Sequence, residues 1–257
     1  MSIGLNLYSI RNKISTPEEF LSTANRLRDM GYSHLQFSGA PFNAEMIAKV
    51  SHESGLPITL THVPMGRIID DTDRLMDEHA LFGCKNIGLG AMPLDAIKNE
   101  ALFKSTVESL NRAGEKMSRN GFKFFYHHHH FEFFKHQGQT AFDYMIENAP
   151  FINFTADTYW LQYGGVSITE FLERLAGRIE CIHLKDYTIA LTSDVAGFSP
   201  RFCPVGDGTI NFQSVIDAAK ASGAKYFLVE QDNAADFEDP FEQVQRSVDY
   251  IKKELVL

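Results

Sequence analysis

Ile3-Gly4-Leu5-Asn6-Leu7-Tyr8, followed by Thr16-Pro17-Glu18-Glu19, sets the fold. The first stretch is a strand-sized apolar run. The second supplies an N-cap threonine, a proline at the first helical position and a capping-box glutamate. Phe20, Leu21, Ala24, Leu27 and Met30 then share one helical face, and Gly31 is placed to end the helix in the left-handed conformation. The next strand is expected at 33–37, so the chain opens with a βα unit.

The unit repeats along the chain. Strands are expected at 58–62, 86–89, 123–127, 151–156, 179–184 and 226–229, and helices at 43–54, 68–82, 102–119, 141–148 and around 212–219. The last helix carries Phe241, Val244, Val248, Ile251 and Leu255 as one apolar stripe. Eight strands, each leading to a helix, with no Pro/Gly/Ser-rich linker between them, indicate a single α/β domain over 1–257, a closed (β/α)8 TIM barrel. No GxGxxG follows the first strand and no Walker A motif occurs, which removes the main signals for dinucleotide and nucleoside triphosphate binding.

Composition narrows the function. With 257 residues, 44% hydrophobic and 22% charged, the chain is an ordinary globular one, large enough for a core without disulfide or metal staples. The formal charge of −9 has the wrong sign for neutralising phosphates, so nucleic acid is not expected as a partner. Cys84, Cys181 and Cys203 form no CxxC pair and cannot all be bridged within the chain. Free thiols, no export signal at the start and no apolar run of spanning length point to a cytoplasmic location without a membrane partner, and leave a homo-oligomer open.

Active sites of such barrels lie at the C-terminal ends of the strands. The polar residues expected there are Gln36, His62, His129, Glu132, Asp157, His183, Lys185 and Glu230. Glu132, Asp157, His183 and Glu230 form a mixed nitrogen and oxygen ligand set suited to one divalent first-row ion, Mn²⁺ foremost, with Mg²⁺, Co²⁺ and Zn²⁺ as alternatives. Four such groups at one end of consecutive strands would otherwise each need a separate compensating partner. Within His127-His128-His129-His130 only alternate members can share a site, and His128 and His130 are expected to pack or face solvent. Asp186, Asp207 and Asp232 are displaced from the strand-end register and read as caps or solvated loop acids.

Tyr126 to Phe133 (YHHHHFEF), Asp157-Thr158-Tyr159-Trp160, His183-Leu184-Lys185-Asp186, Val205-Gly206-Asp207-Gly208 and Val229-Glu230-Gln231-Asp232 resemble the sugar phosphate isomerase/epimerase-like proteins of the xylose isomerase-like barrels. Gly4 to Arg11 and Thr61-His62-Val63-Pro64 extend the resemblance over nearly the whole chain. It implies a metal-dependent isomerase or epimerase acting on a sugar or keto-sugar through an enediolate, with Glu132 and Glu230 as acid and base as well as ligands. A sugar lyase or dehydratase of the inosose or keto-glycoside type would use the same site, and an endonuclease-type hydrolase is the third reading. His128 stands where the family motif usually has asparagine, and Gln36 where it commonly has glutamate. Both departures bear on the substrate.

Substrate contacts are expected from His62, His129, Trp160 and Lys185. The long connection 187–210 is expected to be a lid that brings Arg201, Phe198 and Phe202 to the mouth. Gly206-Asp207-Gly208 could offer backbone N–H groups to a phosphate, but it carries an acid, so an unphosphorylated sugar is favoured.

Overall fold

The computed structural model describes residues 2–193 and 197–255. Its strands are β1 (Ile3–Asn6), β2 (His34–Phe37), β3 (Ile58–His62), β4 (Asn86–Leu89), β5 (Lys123–His127), β6 (Lys135–His136), β7 (Gln139–Thr140), β8 (Ile152–Asp157), β9 (Ile179–Leu184), β10 (Asp186–Leu191), β11 (Phe198–Cys203) and β12 (Tyr226–Val229). β1, β2, β3, β4, β5, β8, β9 and β12 close into a barrel in that order, every neighbouring pair parallel. This is the TIM barrel that the repeated βα pattern implies.

The opening signals act as their chemistry requires. Thr16 and Glu19 form a reciprocal capping box ahead of the helix Pro17–Met30, and Gly31 ends that helix at φ 101°. The helices bury Leu27, Ile47, Leu110, Phe142, Ile216 and Val248 against the outward faces of the strands.

Three expectations are corrected. The run 3–8 is strand only to Asn6; Asn6 then accepts a hydrogen bond from the Tyr8 N–H and starts the 3-10 helix Leu7–Lys13. The helix expected over 68–82 is two, Met65–Asp70 and Thr72–Ala80, separated by the non-helical Asp71. The connection 187–210 contains an antiparallel pair, β10 and β11, with Asp186 opposite Cys203 and Leu191 opposite Phe198; residues 194–196 lie outside the described residues.

Inside the barrel, side chains alternate along each strand. Leu60, Phe125, Cys181 and Leu228 form a separate apolar cluster that plugs the barrel below the mouth. Gly4 belongs to this layer by necessity: a Cβ there would overlap the His34 imidazole and a Leu228 methyl. The plug residues set the site above them, because His127, His183 and Glu230 stand two positions beyond Phe125, Cys181 and Leu228, and Asp157 two beyond Thr155.

Candidate active site

In β3, β5, β8, β9 and β12 alternation therefore delivers a polar side chain into the mouth one layer above an apolar or small one. Register aligns them, since Asp157 pairs with His183, Leu228 with His183, and His127 with Thr155. The result is a buried group, His127, Asp157, His183 and Glu230, whose ligand-type atoms lie within 4.8 Å of one another.

Hydrogen bonds orient both imidazoles. His127 Nδ1 lies 2.9 Å from the Gly90 carbonyl, which only an N–H can satisfy, so Nε2 faces Asp157 Oδ2 at 3.3 Å. His183 Nε2 lies 2.7 Å from Gln36 Oε1 and must donate, which turns Nδ1 toward Glu230 Oε2 at 2.6 Å. Gln36 Nε2 in turn reaches His62 Nε2 at 3.1 Å. Gln36 thus acts as an amide clamp that fixes the orientation of the His183 ring.

Lys185 completes the centre from beyond His183 on the same face of the chain. It is 1% exposed, and its Nζ lies 3.1 Å from Asp157 Oδ2, 3.4 Å from Glu230 Oε2 and 3.0 Å from Asp232 Oδ1. The rings of Trp160 and Phe202 stand 5.2 and 5.7 Å from the same ammonium. Burial opposes every charge here; mutual attraction overrides it at Asp157, Glu230, His183 and Lys185, while the Asp232 carboxyl stays raised by burial. Lys185 and the imidazoles hold Asp157 and Glu230 well below the usual carboxylate range. Against its own burial, His183 is raised by Glu230 and Asp157 to about 9, and Lys185 is raised by the three acids. His62 is pushed down by burial and by the neighbouring imidazoles, and His129 to about 2 by burial first.

A metal fits this donor set. His183 Nδ1 and Glu230 Oε2 are buried without a properly directed hydrogen bond, although they are close together. Two imidazoles and two carboxylates, with the distal N–H of each imidazole held by an oxygen acceptor, are the ordinary surroundings of a divalent ion.

The expected residues are placed unevenly. His62, His129, Lys185 and Glu230 line a chamber of about 230 Å³ at the mouth, together with His127 and Asp232. Glu132 lies outside the four-residue group, past the strand end in the 3-10 turn Phe131–Phe133, with its carboxylate accepting from Tyr126 Oη at 2.5 Å and from the His129 N–H at 2.8 Å. Burial lifts its carboxyl to about 7 despite these bonds. Trp160 joins an aromatic wall with His129, His130, Tyr159 and Phe202. Arg201 is not brought to the chamber: strand alternation sends Phe202 inward onto Tyr159 and Arg201 outward into a groove beside Arg246, while Phe198, 60% exposed, stands at the outer end of the hairpin.

Two residues escaped the sequence reading. His127 was visible only as one of four histidines, and its signal was parity with Phe125 at the last position of β5. Asp232 reads as a loop acid yet contacts Lys185. Asp186, by contrast, is a buried anchor: its carboxylate accepts from the N–H groups of Tyr187, Gly206, Gly208 and Ile210 at 2.8 to 3.4 Å. His128 is buried, with its Nε2 accepting the Asp157 N–H at 3.0 Å.

A family model for xylose isomerase-like TIM barrels matches residues 24–254. An inosose dehydratase of Geobacillus thermodenitrificans is 27% identical over 164 aligned residues, covering 57% of this chain and 53% of that protein, so the match spans about half the length of that relative. One of Clostridium perfringens (strain 13 / Type A) is 27% identical over 275 aligned positions, covering 97% of this chain and 86% of that protein. The fold superposes on a sugar phosphate isomerase/epimerase from Parabacteroides distasonis with a TM-score of 0.81 at 22% identity, covering 98% of this chain and 94% of that one. Among the described residues no helix is long and apolar enough to cross a membrane.

Proposed function

The chain belongs to the xylose isomerase-like TIM barrel family, and from that premise we propose that it is a divalent-metal sugar isomerase or epimerase that moves a proton next to the carbonyl of a small keto-sugar. The observation that carries this reading is the convergence of His127, Asp157, His183 and Glu230, whose ligand-type atoms are buried within 4.8 Å of one another, with His183 Nδ1 and Glu230 Oε2 facing each other at 2.6 Å. These four would hold one ion, Mn²⁺ in the first place. His127 takes the ligand position expected for Glu132, whose own carboxylate is engaged by Tyr126 and His129. When bound, the ion supplies Lewis-acid polarisation of the carbonyl and offsets the charge of the enediolate.

The chain's own groups do the rest. Glu230, in the chamber wall, accepts the proton from the carbon next to the carbonyl. Lys185, whose ammonium touches both carboxylates, is the proton donor, kept in place by Asp232 when the ion takes Asp157 and Glu230. His62 and His129, both kept neutral by burial, orient hydroxyl groups. Glu132 positions the His129 backbone instead of exchanging protons with substrate. An unphosphorylated substrate is favoured, because the N–H groups of Gly206 and Gly208, the phosphate cradle offered by the sequence, already satisfy the Asp186 carboxylate.

A dehydratase is the second reading, favoured by the inosose dehydratase that aligns with 97% of this chain. It begins with the same proton abstraction and ends with Lys185 protonating a departing hydroxyl. Incubating the Mn²⁺-loaded chain with a panel of keto-sugars and inososes in deuterated water separates the two. Epimerisation gives a product of substrate composition with deuterium at one carbon, dehydration gives loss of water, and neither over the whole panel would reject the proposal.

A further inference from the structure

The chamber at the ion site does not end at its own wall. His62, Gly90 and Ala91 also line a second cavity of about 540 Å³ that opens from the mouth over the connections following β2, β3 and β4. Its character differs from that of the chamber. Among the described residues, none of those lining it is Asp, Glu, Lys or Arg; the surface comes from Pro41, Val63, Pro64, Met65, Leu89 and Pro93 with intervening backbone.

Two features make this cleft a built one. Pro64 and Pro93 each sit at the start of a short helix, at φ −58° and −56°, so the connections are stiffened where they form the wall. Pro41, Pro64, Ala91 and Pro93 are exposed, which leaves contiguous apolar surface facing water beside a strongly polar centre. Gly90 keeps the passage open: a Cβ there would stand 3.1 Å from His62 Nδ1, on the wall the two cavities share. The chamber alone has room for about one ring-sized polar group, and the cleft is more than twice as large.

We propose that the keto-sugar is O-substituted, a glycoside whose ketone-bearing ring lies at the ion site and whose aryl or alkyl group fills the cleft of Pro41, Pro64 and Pro93. The inference rests on the reading of the mouth as a sugar-processing metal site. A ring bearing only hydroxyl groups would leave the cleft in contact with water, whereas an apolar substituent joined through an ether oxygen passes Gly90 and removes that surface from solvent. The cleft lacks charge, so it discriminates against a second ionic or phosphorylated group.

Calorimetric titration of the Mn²⁺-loaded chain tests this with paired methyl and phenyl glycosides of glucose, galactose and xylose in both anomeric forms. For at least one sugar, the phenyl glycoside is expected to bind tenfold or more tightly than its methyl counterpart. The variants M65W, which fills the cleft, and P41D, which places a charge in it, both at residues that line the cleft and not the chamber, should each bring phenyl affinity down to the methyl value while methyl affinity and metal content stay unchanged. Metal-dependent binding with equal methyl and phenyl affinities throughout would overturn the inference and leave the metal-site reading standing. Binding of none of these sugars, with no deuterium exchange on keto-sugars, would overturn both.

Discussion

On the β5 to β12 side of the mouth, His127, Asp157, His183, Lys185 and Glu230 are packed out of water within a few ångströms of one another; on the β2 to β4 side, the same kind of βα connection carries prolines and backbone around an uncharged cleft. Both sides rise from the same apolar plug inside the barrel. They differ in the residues that each strand places beyond its plug residue. Where a ligand-type side chain comes next, its burial is tolerable only because neighbouring strands supply opposite charges. On the β2 to β4 side the strands place Gln36, the neutral His62 and Gly90, so no charge has to be balanced and the wall is free to be shaped for contact. Reaction and recognition are thereby assigned to opposite sides of one opening.

The sharpest break in this contrast comes from His183→Ala. It should remove the bound ion, and turnover should fall by on the order of 10²- to 10³-fold, the scale of removing a preorganised electrostatic stabiliser. Elemental analysis and initial rates check it, with circular dichroism confirming that the barrel persists. Next is Lys185→Met, which leaves Asp157 and Glu230 buried without their ammonium. Without metal the variant should lose about 3–5 kcal/mol of stability. In thermal melts, Mn²⁺ should raise its Tm more than that of the parent, since the ion replaces the missing cation; an equal gain in both proteins contradicts the arrangement.

Asp186→Asn addresses the hairpin anchor on the polar side. The amide can no longer accept from Tyr187, Gly206, Gly208 and Ile210 together, and a loss of about 1–3 kcal/mol in chemical denaturation is expected. Metal content should be unchanged. A pH series sharpens the electrostatics. Without the ion His183 is protonated below about 9, and an incoming ion must displace that proton. Metal affinity should therefore rise with pH between 6.5 and 8.5, by up to roughly tenfold per unit for one displaced proton. A flat profile in isothermal titration would place the binding elsewhere.

The smallest effect is expected at Glu132, where Glu132→Gln should keep the ion and most of the turnover. The Glu132 carboxyl is raised in the folded chain from 4.5 to about 7, so the stability it contributes is complete below pH 4.5 and is lost as pH rises through 7. The variant should flatten that part of the stability profile, measured by urea melts at pH 5 and pH 7.5.

The barrel was legible because the βα signals are local: a capping box, Gly31 at a left-handed helix end and an apolar stripe each act within a few residues. The candidate site was legible where a lone acid or base closed an apolar strand, as with Asp157, His183 and Glu230. It was not legible within the four histidines, because parity is decided by the barrel register that places His127 opposite Thr155. The spacing to Glu132 gives no hint that the strand has ended and that Tyr126 claims its carboxylate. The hairpin of β10 and β11 was missed for a related reason: its pairing is anchored by Asp186, whose four N–H partners are spread along the chain from Tyr187 to Ile210. The outward position of Arg201 has the same origin, since a strand sends alternate residues to opposite faces and an irregular lid does not.

The most direct test of the ligand assignment is anomalous X-ray scattering at the manganese edge from crystals soaked in Mn²⁺. The expected result is one peak enclosed by His127, Asp157, His183 and Glu230, with Lys185 withdrawn toward Asp232. A peak on Glu132, or none among these four side chains, would contradict it.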